Sequence, residues 1–501
     1  MRAKLLRVIR AMTGKAAVTA LLGGIAAVAG SFAAAGFTAE FAFTPISEFV
    51  VQYTPGEIVN QTLETFGDLG QYINIAFALF LTTVLFTTAT GVAVLAGGYW
   101  LGRSVFTFGL VWVVSFALTT APLLSLGAAV PAGAVVAMTY RPWQDSEAMD
   151  QRRRWPDEDR RQVLETGLGV AGFAGASYIL GDYRTPELET EALNDEQAES
   201  ETNELVADAR RKGFDLPDSP DLLSETGDFY TVDIATVVPQ VAAENWSLEL
   251  EGSVDQELSI SYEELQGMES VNRYSTLRCV GEDLNARKMD NAVWTGVPAS
   301  DLIEQAGADS EFVVMHAHDD FFNTIPFEVF EEAYIVYGMN GFELPRAHGH
   351  PVRVIVPGHW GEVNVKWLDR IEFTDEDVDG YWEERGWEGT GEVSAVAKLW
   401  TVEQRADRVL LGGHAYDGLD GVSAVEVSID GGETWEQAEL SERLDAGDAW
   451  RQWRYEVTAD PGEYDVVVRA IDDDGEIQQR EPTDAFPDGA TGWINETITV
   501  E

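Results

Sequence analysis

The chain reads as three fold classes in series: an α-helical membrane domain, an α+β domain, and a C-terminal immunoglobulin-like β-sandwich. Three observations predict this order. Long apolar runs are confined to the first 181 of 501 residues. From Phe229 short alternating runs mix with helical stretches such as Tyr262 to Met268 and Pro298 to Ala306. After about residue 393 strand patterns dominate, at Ala424 to Ile429, Trp450 to Val457, Tyr464 to Ile471 and Ile494 to Val500.

A membrane span needs about 20 predominantly apolar residues. Four regions supply them, roughly 16–37, 73–100, 104–140 and 163–181. The third is too long for one span, and Pro122 and Pro131 break it into a helical hairpin, giving five spans in residues 1–181. The basic residues agree with this count. Arg2, Lys4, Arg7, Arg10 and Lys15 precede the first span, Arg103 lies between the second and third, and Arg141, Arg152, Arg153, Arg154, Arg160 and Arg161 between the fourth and fifth. With five spans all of them fall on the cytoplasmic side, which puts residues 182–501 outside the cytoplasm. The run Arg160-Arg161-Gln162-Val163-Leu164 resembles a twin-arginine export signal, suited to a domain that folds before export. A buried amphipathic helix is the competing reading of the glycine-rich last span. Charges in the spans are scarce, with Arg103 at a boundary, so an anchor is favoured over a transporter.

Charge separates the halves. Residues 1–161 carry 12 basic and 11 acidic side chains, so 162–501 carry 21 basic against 74 acidic, a net of −53. This repels nucleic acid and anionic lipid and fits a halophilic solvent. Regular Trp, Tyr, Phe and Val in the same region argue against an acidic disordered chain. Residues 182–228 are acidic and poor in aromatics, and read as a linker.

A single cysteine, Cys279, excludes intrachain disulfides, cysteine-rich zinc sites and a C-x-x-C-H haem attachment. All six histidines lie beyond residue 315, so no pair of membrane histidines can hold a haem. Cys279 ends the strand-like Tyr274-Ser275-Thr276-Leu277-Arg278, and the flanking Arg273, Arg278, Arg287 and Lys288 are expected to lower its pKa. A lone cysteine is by itself more often an inert buried side chain. A second constellation runs from Tyr337-Gly338-Met339-Asn340-Gly341 through His348-Gly349-His350-Pro351-Val352-Arg353 and Val356-Pro357-Gly358 to Val365-Lys366-Trp367-Leu368. Its His348, Arg353 and Lys366 suit a phosphate and the polar edge of a heterocycle.

In order, Leu-x-Cys-x-Gly at Cys279, Trp294-Thr295-Gly296-Val297-Pro298, Ile325-Pro326-Phe327 and the second constellation resemble the sulfite oxidase family of molybdopterin enzymes over about residues 229–392. Residues 393–501, with Ala424 to Trp435, resemble that family's sandwich, a dimerisation-type domain. The resemblance implies a molybdenum-molybdopterin cofactor with Cys279 as the metal ligand. It implies that His348, Arg353, Asn364, Val365 and Lys366 hold the pterin and its phosphate, and places Asp319 or Asp320 near another pterin contact. It further implies oxygen-atom transfer on a small oxyanion or oxide, and a homodimer. No haem or iron–sulfur ligand set is present, so electrons would pass to a separate protein or a quinone pool.

Two positions depart from the family pattern. Asp233 stands where sulfite oxidases carry an arginine, and Trp387 stands near their tyrosine. Both changes weigh against sulfite and towards reduction of S-oxides or N-oxides. Arg273, Arg278, Arg385 and His359 are candidates to restore the charge, and Trp387 fits wall packing and a pocket role equally well. A non-catalytic binding protein that keeps the fold is the reading from another class, and the retained Cys279 argues against it.

Overall fold

The computed structural model describes residues 14–56, 58–59, 62, 69–141, 157–185, 192–193, 196–405, 408–445 and 448–500. Most of the basic residues used for the span count, among them Arg2, Lys4, Arg7, Arg10 and Arg152 to Arg154, lie outside the described residues. Two compact units result: 1–187 with 235–239, and 188–234 with 240–501.

In the first unit, α1 (Gly14–Ala35), α3 (Leu69–Ala96), α4 (Trp100–Thr119), α5 (Leu126–Tyr140) and α6 (Asp157–Arg184) form a bundle, with a short α2 (Thr44–Tyr53) before α3. α1 packs against α3, α5 and α6. Small residues permit this: a Cβ on Gly24 would stand 2.2 Å from the Thr87 hydroxyl, and one on Gly30 would stand 2.1 Å from the Gly127 carbonyl. Close backbone approach of this kind is how helices of a membrane bundle pack where lipid offers no hydrophobic drive. α1, α3, α4 and α6 are apolar and long enough to cross a membrane. α6 turns large apolar side chains outward, Leu168 and Ile179 among them, unlike a buried helix. Its one acid in the apolar stretch, Glu165, pairs with Arg161 at 2.8 Å near the helix start. The hairpin at 104–140 is present, but Pro131 lies inside α5 rather than breaking it. The chain reverses at residues 120–125, around Pro122, where Thr120 takes a left-handed φ of 54°. α5, with 15 residues, is about 22 Å long, short of a full hydrocarbon crossing. Arg103 sits in the first turn of α4, with its guanidinium 4.6 Å from the centre of the Tyr140 ring.

In the second unit, β1 (Ser247–Gly252), β2 (Leu258–Ser261), β5 (Phe312–Ala317), β6 (Phe322–Pro326) and β10 (Leu368–Thr374) make one sheet in the order 2-1-10-5-6, parallel only between β1 and β10. β3 (Val271–Arg278), β4 (Met289–Pro298), β7 (Tyr334–Met339), β8 (Phe342–Glu343) and β9 (Arg353–Ile355) make the second, with β9 paired to β7. Every residue of β4 except Pro298 is buried, as expected of a strand covered on both faces. The sandwich has two sheets. One holds β11 (Val396–Ala397), β12 (Thr401–Arg405), β13 (Arg408–Tyr416), β16 (Glu439–Leu440) and β17 (Arg451–Val457). The other holds β14 (Ala424–Ser428), β15 (Glu436–Gln437), β18 (Gly462–Ile471) and β19 (Ile494–Val500). A single apolar core joins both sheets, through Leu411, Val425 and Val468, to Tyr274, Met289 and Val293 of the α+β part.

Residues 196–228, expected as a linker, are instead a fitted strap. α7 (Glu196–Lys212) buries Ala209, and its Leu205 carbonyl accepts from the Tyr274 hydroxyl at 2.6 Å. The Leu222 carbonyl accepts from Trp450 Nε1 and Asn291 Nδ2, one on each side of the domain boundary. Acidic composition hid this, because the few apolar side chains that seat the strap, Ala209, Leu216 and Leu222, are scattered among acids, and its backbone carbonyls add partners that composition does not show.

Asp448 pins the same boundary. Its buried carboxylate accepts from the Ser275 hydroxyl, the Tyr416 hydroxyl and, at 3.0 Å, the Gly358 N–H. Burial outweighs these donors and raises its pKa to about 7. An unfolded chain ionises this group near pH ~4, so folding stability should fall as pH rises from there to about 7 and level off above. Denaturant titrations at pH 5, 6, 7 and 8 should show this decline, and Asp448→Asn should make it shallower by Asp448's share, on the order of 2 to 4 kcal/mol.

Candidate functional site

Cys279 leaves β3 at its C-terminal end, where its N–H donates to the Lys288 carbonyl at 2.9 Å and closes the 279–288 loop. Glu282 stands under this loop. One carboxylate oxygen accepts from Arg278 Nε at 3.2 Å and from Lys398 Nζ, and the other from the Lys288 N–H at 2.8 Å. Arg278 is fully buried, lies over the Trp360 ring at 4.7 Å and donates to the Ser394 and Ala490 carbonyls. Its charge therefore serves Glu282 and the domain junction.

The expected lowering of the thiol pKa is not what the structure holds. Cys279 is half-buried, and burial pushes its thiol up to about 11, with Glu282 and Glu362 adding to the rise and Lys288 opposing it. Arg273 is exposed on β3, six residues before Cys279, about 20 Å along an extended strand. Arg287 lies over the Trp400 ring and donates to the Asp218 carbonyl. Arg278 and Arg287 are thus spent on the framework, while Lys288 acts on the thiol.

The fold brings His348, Arg353 and Asn364 of the second constellation into contact. His348 is buried against Phe229, with ring centres 5.4 Å apart. Burial, with Arg353 and Lys366 nearby, lowers its pKa to about 3, so its imidazole is neutral at ordinary pH. Arg353 donates to the His348 carbonyl at 3.2 Å and the Asn364 carbonyl at 2.8 Å, over the Trp294 ring. Its Nε is enclosed with no hydrogen-bond partner among the described residues. Asn364 fixes the segment, accepting from the Val356 N–H and donating to the Trp360 carbonyl. Val365 contributes its backbone, its carbonyl accepting from the Val354 N–H. Gly349, at φ 109°, lets this turn lie on Lys366, whose Cα would be 3.2 Å from any Cβ there.

Asp233 has a role that residue-by-residue comparison missed. Its carboxylate is 2.8 Å from Lys366 Nζ, which also donates to the Ala347 carbonyl at 3.1 Å. Burial lowers the Lys366 pKa, and Asp233 opposes that. Asp319 belongs to the same cluster: burial raises it to about 6, helped by Asp233 and opposed by Lys366, and one of its oxygens is enclosed without a partner among the described residues. Asp320 takes a left-handed φ of 66° in the turn behind it.

Trp387 is both wall and neighbour. It packs edge-on against Trp382 and Phe486, and its ring edge would stand 3.5 Å from a Cβ on Gly281, two residues after Cys279. Arg385 lies 3.6 Å over the Tyr381 ring and donates to that residue's carbonyl. His359 is tied to the Pro357 carbonyl at 2.9 Å.

Tyr230, Glu282, Asp290 and Glu362 carried no signal in the sequence, since each acts through residues far from it in the chain. Glu362 is the most anomalous. Neither carboxyl oxygen has a hydrogen-bond partner among the described residues, and burial beside Glu383 raises its pKa to about 8. Among the described residues no group of three or more His, Cys, Asp or Glu side chains is placed to hold a metal ion. A metal here would depend on one protein thiolate and on ligands from its own cofactor. The enclosed donors of His348, Arg353 and Lys366 fit such a cofactor's phosphate and heterocycle.

Both globular parts of the chain resemble known proteins. Residues 235–382 match the oxidoreductase molybdopterin binding domain, and residues 393–488 match the Mo-co oxidoreductase dimerisation domain. The chain is 27% identical over 297 residues to the mitochondrial sulfite oxidase of Rattus norvegicus, covering 48% of this chain and 54% of that one. It is 32% identical over 151 residues to the uncharacterized oxidoreductase YuiH of Bacillus subtilis (strain 168), covering 29% of this chain and 74% of that one. The sulfane dehydrogenase SoxCD structure from Paracoccus pantotrophus aligns with 63% of this chain and 90% of that one, at TM-score 0.49 and 18% identity. The chain spans about half the length of the mammalian sulfite oxidases it matches. On these matches, of which the molybdopterin binding domain spans both the Cys279 loop and the His348–Lys366 constellation, the chain belongs to the sulfite oxidase family of molybdopterin-binding oxidoreductases.

Proposed function

We propose that this chain is a membrane-anchored, molybdopterin-dependent oxidoreductase that transfers an oxygen atom to or from a small oxide, with its catalytic part on the extracytoplasmic side. The observation that carries the reading is the pairing of a lone, half-buried Cys279 at a strand end with a separate set of buried phosphate-type donors. Bound molybdenum would supply the two-electron change and the oxygen acceptor site. The residues would do the rest. Cys279 would ligate the metal, Arg353 and Lys366 would hold the phosphate, and neutral His348 and the Asn364-Val365 backbone would orient the ring system. Trp387 and Phe486 would keep bulk water from the loop that carries Cys279.

A reductase of S-oxides or N-oxides is the second reading, and Asp233 favours it. An acid where the family carries an arginine would repel a dianionic substrate such as sulfite. A substrate screen with artificial electron donors and acceptors separates the two directions. A separate redox protein or quinone would then serve as electron partner, and the sandwich would pair two copies.

Metal analysis of purified protein should find molybdenum in the wild type and at least a tenfold loss in Cys279→Ser with folding retained; equal contents would remove Cys279 as ligand. Lys366→Met should cost about 3 to 5 kcal/mol by stranding the largely buried Asp233. The double variant Asp233→Asn, Lys366→Met should recover most of that stability and still lack pterin. Protease added to intact cells should release a fragment holding residues 240–501; protection until the membrane is opened would reverse the orientation.

A further inference from the structure

The strap ends at a phenol. Tyr230 follows Phe229, whose ring stacks on it at 5.7 Å and meets both Trp294 and His348 edge-on. Trp294 in turn lies under Arg353. On the other side, a side chain at Gly361 would stand 2.6 Å from the Tyr230 hydroxyl and 3.0 Å from the carbonyl oxygen of Arg278, the residue before Cys279. The hydroxyl therefore lies between the pterin-type donors and the end of β3. Its titratable neighbours are Cys279, Glu282, Arg353 and Asp290.

Three features distinguish this tyrosine from a core residue. It is half-buried, and its hydroxyl is neither hydrogen-bonded to a described residue nor among the polar atoms enclosed without a partner. The hydroxyl therefore still has room for a ligand atom, whereas buried tyrosines usually find a protein partner. Its backbone is clamped: Asp290 accepts from the Tyr230 N–H at 2.9 Å and from the Ser224 hydroxyl at 2.5 Å. Burial raises its pKa well above the ordinary value, so it remains a donor.

We propose that Tyr230, delivered by the strap, donates a hydrogen bond to the oxygen of the bound oxide or oxyanion next to Cys279, with Asp290 as its positioning residue. This rests on the proposed oxygen-transfer function. It assigns the substrate-facing phenol to the first residues of the α+β domain, at the opposite end of that domain from Trp387. A neutral donor of this kind serves a neutral oxide without requiring a cation beside it.

The test uses the full, metal-loaded protein. Tyr230→Phe should keep the wild-type molybdenum and pterin content while kcat/KM for the best oxide or sulfite substrate falls ten- to hundredfold. Electron paramagnetic resonance of the one-electron-reduced metal gives a second readout. A coupling to a proton exchangeable in heavy water, present in the substrate-bound wild type, should vanish in the variant. Asp290→Asn should weaken the same coupling and leave metal content intact. Unchanged coupling and kcat/KM in Tyr230→Phe would overturn the assignment while leaving the parent function standing, as would loss of pterin, which would make Tyr230 a cofactor contact. A wild type with no molybdenum would overturn both.

Discussion

The catalytic half is organised around one desolvated carboxylate. Glu282 sits in the protein interior with Arg278 and Lys398 both on its charge and the Lys288 N–H on its second oxygen. An anion taken out of water is tolerable only with such complete satisfaction. The two cations come from different places, β3 and the start of the sandwich, so Glu282 ties the Cys279 loop to the second domain. The loop conformation, the Trp360 stacking and the junction carbonyls of Ser394 and Ala490 all follow from where Arg278 must reach.

This explains an outcome that local composition misjudges. Four basic residues around a cysteine suggest an electropositive, reactive thiol. Two of those cations are engaged elsewhere, Arg278 on Glu282 and Arg287 on the Asp218 carbonyl and Trp400, and a third, Arg273, is exposed to solvent. The thiol is left in a buried setting where the neutral form is favoured, and a metal that ligates it must displace the proton. Cation count near a residue in sequence is thus a weak guide to field at its side chain. Direction and prior pairing decide the field.

The same lesson applies, with opposite sign, to Asp233. Read alone it is a repulsive substitution in an anion site. In the fold it neutralises Lys366 and sits near Asp319, so the three form one buried unit of mixed charge. The polar strap has a parallel history. Its sequence lacks apolar periodicity after α7, yet its carbonyls and hydroxyls are consumed by Trp450, Asn291 and Asn340. Backbone partners leave no trace in composition.

By itself the sequence determined the apolar helices, the mixed and all-β halves and the ordered motifs, and it was the resemblance those motifs carry that singled out His348, Arg353, Asn364 and Lys366. These depend on periodicity and on residue types that few environments accept, which are local properties. Tertiary structure alone decided that Pro131 stays within a helix, that residues 196–228 bind both domains, that Arg273 stands away from Cys279, and that Tyr230, Asp290 and Glu362 gather near it. Those outcomes depend on which groups meet after β3, β4 and the strap pack together, and a pairing energy exists only once both partners are in place.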